Sequence, residues 1–137
     1  MKIFIDTNIF LDLILKREKY KEAEIIFNAI EKNIFEGVIL DITILNIDYI
    51  ANKHTENLKE FLKIINKTFE VVGGSNTLIA QAIEIDNRDL EDNLQYISAK
   101  ESKCNLIITN DKKFYKGDLK VMNSCEFIDK HIKSKLL

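Results

Sequence analysis

Five short β-favouring runs, residues 2–5, 38–40, 69–72, 106–109 and 119–122, recur along the chain with longer, largely helix-periodic segments between them. No other feature constrains the fold as tightly. The runs are mostly apolar rather than alternating, with Glu70 and Lys120 as interruptions, and such runs suit strands covered on both faces. Parallel neighbours of that kind need a crossover of a dozen or more residues, usually a helix. The pattern therefore predicts an α/β chain, a three-layer α/β/α sandwich around a central parallel sheet of about five strands.

The intervening segments carry their own helical signals. Tyr20, Ala23, Phe27 and Ile30 recur at three or four residues, as do Leu58, Phe61, Leu62 and Ile65, each set forming one apolar stripe. Leu94, Ile97 and Cys104 are expected on one stripe of a third helical segment. Gly37 fits a turn after the helix near residues 19–32, and Asn123 with Glu126 fits a capping box opening a C-terminal helix. With no proline, only four glycines and no low-complexity stretch, the sequence offers no linker, so residues 1–137 are expected to form one domain.

Composition mainly excludes. A chain that is 46% hydrophobic and 31% charged reads as an ordinary globular protein rather than a disordered or fibrous one. Cys104 and Cys125 are too few and too isolated for a zinc knuckle or disulfide framework and are expected to be reduced core thiols. No apolar run approaches the roughly 20 residues of a membrane helix, and no opening segment resembles a signal peptide, so no membrane partner and a cytoplasmic location are expected. The net charge of −2 gives no general basic surface for nucleic acid, although Lys112, Lys113 and Lys116 cluster locally, as do the lysines of residues 130–135. Either cluster could equally be a solvated face.

In parallel α/β sheets, ligands bind where the strands end. Reading those ends gives Ile5-Asp6-Thr7-Asn8 and Ile108-Thr109-Asn110-Asp111, and between them Asp89-Leu90-Glu91-Asp92 immediately precedes a helical segment. Asp, Asn and Thr at such places also serve as caps, and Asp89 with Asp92 could be a variant capping box. Carboxylates converging on one pocket, however, repel one another unless a cation neutralises them. All-oxygen donors favour a hard ion such as Mg²⁺ or Mn²⁺, which can activate water and polarise a phosphodiester. His54 and His131 lack partners at ligand spacing, and Gly73-Gly74 is not followed by the Lys-Ser or Lys-Thr of a phosphate loop.

Residues 3–12, Ile-Phe-Ile-Asp-Thr-Asn-Ile-Phe-Leu-Asp, closely resemble the opening motif of PIN domains. Asp89-Leu90-Glu91-Asp92-Asn93-Leu94-Gln95, continuing to Ala99, resembles the third motif, and residues 106–114, Leu-Ile-Ile-Thr-Asn-Asp-Lys-Lys-Phe, resemble the fourth. The resemblance spans essentially the whole chain. It implies a metal-dependent endoribonuclease in which Asp6, Asp92 and Asp111 hold Mg²⁺ or Mn²⁺, with Asn8, Thr109 and Asp89 as supporting or phosphate-contacting groups. It further implies RNA as substrate, an antitoxin protein as partner if the chain is a toxin of the VapC type, and a homodimer, which is common among relatives.

One position departs from the pattern. Most PIN nucleases carry Glu in the helix after the second strand, where this chain has Thr43-Ile44-Leu45-Asn46-Ile47-Asp48. Asn46 is the aligned residue and a candidate site residue, while Asp48 is the acidic alternative. Two positions apart, they point about 200° from one another around a helix and cannot both face one pocket. An amide oxygen brings no charge, so the competing expectation is a PIN-like RNA- or protein-binding module with little or no turnover.

Overall fold

In a computed structural model, residues 1–136 are described, with side chains to residue 134; Lys135 of the basic tail thus lies outside the described side chains. The elements run β1 (Lys2–Ile5), α1 (Thr7–Ile14), α2 (Tyr20–Glu31), β2 (Glu36–Leu40), α3 (Asp41–Ala51), α4 (Leu58–Thr68) and β3 (Glu70–Val72). They continue with α5 (Asn76–Glu84), α6 (Leu90–Glu101), β4 (Leu106–Ile108), β5 (Lys120–Met122) and α7 (Ser124–Phe127), which runs through a π-helical turn at Ile128–Ile132 into α8 (Lys133–Leu136). The five expected strands pair throughout in parallel, in the order β3-β2-β1-β4-β5.

Alternation along the strands feeds two apolar layers. On one face Ile3, Ile5, Ile39, Leu106 and Ile108 pack with side chains of α1, α2, α3, α4 and α7, including Phe10, Ile26, Ile47, Ile65 and Phe127. On the other face Phe4, Val38, Leu40 and Ile107 meet Tyr96 and Ala99 of α6 and Phe114. The strands are thus covered on both sides, which is why they read as near-continuous apolar runs. Phe10, Phe27 and Phe69 form an aromatic cluster with centroid separations of 5.1 to 6.5 Å, and Phe61 stacks on Phe27 at 6.0 Å. Among the described residues no helix is long and apolar enough to cross a membrane.

Two local expectations need correction. Gly37 does not form the turn after α2; it lies buried within β2, and Asn33 takes the left-handed conformation instead, with φ 60°. Glycine is needed at 37 because a Cβ would come within 2.5 Å of the Phe69 ring. Cys104 likewise falls beyond the end of α6, after a left-handed Lys103 with φ 59°, yet its buried thiol packs with Leu94 and Ile97 as the stripe implied. The capping box forms as expected: Asn123 accepts from the Glu126 amide at 2.8 Å and the Glu126 carboxylate accepts from the Asn123 amide at 3.4 Å.

With β1 central, the chain leaves it towards β2 on one side and β4 lies on the other, so strand order reverses between β1 and β4. The ends of these two strands, carrying Asp6 and Thr109, open beside the first turn of α6.

Candidate active site

Asp6 occupies the capping position of α1 with extended backbone, φ −66° and ψ 146°, but its side chain makes no capping bond. The carboxylate turns instead into the switch point, where it is 2% exposed. Oδ1 accepts from Gln95 Nε2 at 2.9 Å and Oδ2 from Thr109 Oγ1 at 2.8 Å. Burial pushes the Asp6 pKa upward and the Asp111 charge adds to the rise, while the Gln95 and Thr109 donors oppose it. The carboxylate is fixed in orientation, and each oxygen keeps acceptor capacity to spare.

Asp92 lies in the first turn of α6 and is 5% exposed. Among the described residues, no hydrogen-bond donor faces its carboxylate. Burial first, and then the charges of Asp6, Asp89, Asp111 and Glu91, push its pKa from 3.8 up to about 7. Near neutrality this group therefore holds a proton about half of the time, the expected response of a carboxylate crowded by like charges and short of a counter-ion.

The half-buried Asp111 sits in the loop after β4. Its amide donates to Thr109 Oγ1 at 3.1 Å and its Oδ1 accepts from the Lys113 amide at 2.9 Å, an Asx turn that stiffens the loop. Thr109 thereby links two acids, donating to Asp6 and accepting from Asp111. Asp89 is exposed and caps α6, accepting from the Asp92 amide at 3.0 Å. Asn8 is exposed on α1 and makes no side-chain hydrogen bond among the described residues.

On α3 the two alternatives separate as helix geometry requires. Asp48 is exposed, whereas Asn46 is half-buried and its Nδ2 donates to Oε1 of Glu91. A buried contact between Thr7 Oγ1 and Thr43 Oγ1 at 2.9 Å pins α1 to α3 one turn before Asn46. Glu91 feels burial first and then the charges of Asp6 and Asp89, which raise its pKa against the lowering effect of the Asn46 donor.

Glu91, Gln95 and Asn110 were not singled out from the sequence. Gln95 had a signal, since it stands three residues after Asp92 and so shares its helix face. Asn110 had none: its Oδ1 accepts from both the amide and the hydroxyl of Ser124 at 3.0 Å, and its Nδ2 donates to Asp12 at 3.3 Å, tying the β4 loop to α7 and α1.

The donor set is entirely oxygen, mutually repelling and short of counter-charge, which fits a hard divalent cation. Among the described residues no three His, Cys, Asp or Glu side chains stand close enough to enclose an ion by themselves. Such spacing suits an ion that keeps several of its waters, as Mg²⁺ does. One buried acceptor supports the fit: Oε1 of the fully buried Gln95, on the amide that grips Asp6, has no hydrogen-bond partner among the described residues.

The PIN domain family matches residues 2–113. Ribonuclease VapC1 of Aquifex aeolicus (strain VF5) is 28% identical over 137 residues, covering 94% of this chain and 94% of that protein. Among solved structures, a toxin–antitoxin complex from Klebsiella pneumoniae superposes with a TM-score of 0.69 at 21% identity, covering 89% of this chain and 97% of that one. VapBC2 from Rickettsia felis, bound to a DNA fragment from its promoter, gives a TM-score of 0.66 at 18% identity, covering 90% and 98%. The sarcin-ricin loop cleaving toxin VapC20 from Mycobacterium tuberculosis gives 0.66 at 12% identity, covering 82% and 92%.

Proposed function

This chain belongs to the PIN-domain family, and on that premise we propose that it is a divalent-metal-dependent endoribonuclease hydrolysing RNA phosphodiester bonds, acting as the toxin of a toxin–antitoxin pair. The observation that carries the reading is the buried Asp6–Asp92 pair at the β1/β4 switch point, with the Asp92 pKa pushed up to about 7 by burial and by its acidic neighbours. Similarity to Ribonuclease VapC1 along nearly the full length of both chains supports the reaction class. Structural likeness to toxin–antitoxin complexes supports an antitoxin protein as partner.

Asp6, Asp92 and Asp111 would hold Mg²⁺ or Mn²⁺. When bound, the ion would supply Lewis-acid polarisation of the phosphodiester and would lower the pKa of the attacking water so that it is more readily deprotonated. Thr109 and Gln95 hold the Asp6 carboxylate in one orientation, which fixes where that charge points. Asp92, buried among like charges with its pKa pushed up to about 7 in the metal-free fold, would give up that proton to take the ion, and Asn110 locks the loop that carries Asp111. Lys19, Lys112 and Lys116 line an open cleft with Asp111, Glu18 and Glu126, so lysines that could contact phosphates stand beside the loop of Asp111 without making the cleft cationic as a whole.

A protein partner also has surface to cover, since Leu45 and Tyr49 of α3 are 68% and 80% exposed and Ile83 of α5 is 61% exposed. We propose that the antitoxin or a second copy of the chain packs on such apolar surface, and that the chain is a single domain working in the cytoplasm. A binding module with little turnover is the second reading, favoured by the uncharged Asn46.

Incubation of a mixed RNA pool with the protein in Mg²⁺, Mn²⁺ or EDTA, beside Asp6→Asn, tests the proposal. Cleavage should require metal and fall by at least two orders of magnitude in the variant. Equal cleavage in EDTA or by Asp6→Asn would sink the metal mechanism, and RNA bound but uncut in every metal would select the binding module.

A further inference from the structure

The amide at position 46 removes a charge that most PIN nucleases place in the corresponding helix, yet it does not face an empty pocket. Asn46 Nδ2 donates to Glu91 Oε1, joining α3 to the first turn of α6. An amide that spends its N–H on a carboxylate holds that carboxylate in place. Glu91 is half-buried, whereas Asp92, its chain neighbour, is buried. Neighbours on a helix diverge by about 100°, and the extra methylene of glutamate lets its carboxylate reach back towards the site.

We propose that Glu91, held by Asn46, is the fourth carboxylate of the metal site, so that the charge missing from α3 is supplied from α6. The inference rests on the metal-site reading above. Asn46 is then a positioning residue rather than a ligand, and Asp48, exposed on the far face of α3, takes no part.

Two observations beyond the hydrogen bond support this. Glu91 stands four residues before Gln95 on the same face of α6, and Gln95 is the residue whose amide reaches Asp6. In addition, the orphaned Oε1 of Gln95 sits fully buried on the amide that grips Asp6. A buried acceptor without a partner is costly unless water or an ion satisfies it, so the cluster is built to receive a polar ligand. With Glu91 counted, Asp6, Asp92 and Asp111 gain the charge that an all-carboxylate site would have carried, and the amide at 46 no longer implies a weak one.

The test is Mn²⁺ binding by calorimetry, with Mn²⁺ itself as titrant and thermal melting in EDTA as a check of folding. Glu91→Gln keeps the shape and removes the charge, and its Mn²⁺ affinity should fall on the order of tenfold. Asn46→Ala should lose less and should add nothing in the Glu91→Gln background, because the two residues act through one hydrogen bond. The exchange Asn46→Asp with Glu91→Gln reverses that bond, putting the carboxylate on α3 and the amide on α6, and should recover most of the lost affinity. Undiminished Mn²⁺ binding by Glu91→Gln, or an exchange variant binding no better than Glu91→Gln alone, would overturn the proposal. Asp6→Asn separates the two readings: if it abolishes binding while Glu91→Gln does not, only the role of Glu91 fails; if it too binds normally, the metal site itself is wrong.

Discussion

At the scale of single residues, the chemistry is a competition between burial and charge. Burial raises the pKa of both buried acids; at Asp6 two side-chain donors oppose the rise, whereas Asp92 has no such donor among the described residues and is pushed up to about 7. An unfolded aspartate releases its proton near 3.8, so the metal-free fold binds the Asp92 proton more tightly than the unfolded chain does. Its stability should therefore decrease as pH rises between about 4 and 7 and level off above. A divalent ion must displace the same proton, so Mn²⁺ affinity should climb as pH rises through 7, with proton release on binding. Calorimetry in buffers of different ionisation enthalpy measures that proton, and Asp92→Asn should abolish its release. A pH-independent affinity through pH 7 would contradict the geometry.

At the scale of elements, one residue can serve a helix end without serving the chemistry, and Asp89 illustrates the distinction. It is exposed, and its carboxylate accepts from the Asp92 amide at 3.0 Å, a capping arrangement that also sets the angle at which Glu91 and Asp92 enter the site. Asp89→Ala should cost about 1 kcal/mol of stability, read from denaturant melts, while Asp89→Asn, an equally good cap, should cost only a few tenths. If capping is its whole contribution, Asp89→Asn should also cleave RNA within about twofold of the parent; a loss as deep as that of Asp6→Asn would assign the carboxylate to the reaction instead. The same element logic explains Gly37. A glycine just past a helix suggested a turn, but the close approach of the Phe69 ring to β2 demands a residue without Cβ.

For the molecule as a whole, the charge of −2 hides its distribution. Lys19, Lys112 and Lys116 share a cleft with Glu18, Asp111 and Glu126, so phosphate contacts there would fall to individual lysines and RNA binding should be salt-dependent. Replacing Lys112 and Lys116 by Gln should weaken RNA binding and flatten the plot of log affinity against log salt by about 1.4, the value for two phosphate contacts on a single strand. Fluorescence anisotropy across a salt series measures this, and an unchanged slope would place the RNA elsewhere. The parallel sheet, the helices between its strands and the strand-end carboxylates were all legible in the sequence, because burial on both faces and helical periodicity write themselves into residue spacing. So were the separation of Asn46 from Asp48 and the capping box at Asn123, which depend on local geometry alone. Only the tertiary structure decided which groups meet across the chain: that Gln95 and Thr109 clamp Asp6, that Asn110 ties its loop to Ser124, and that Asn46 reaches Glu91, 45 residues away. Those contacts join residues on different elements, and no local period records them, because packing alone brings the elements together.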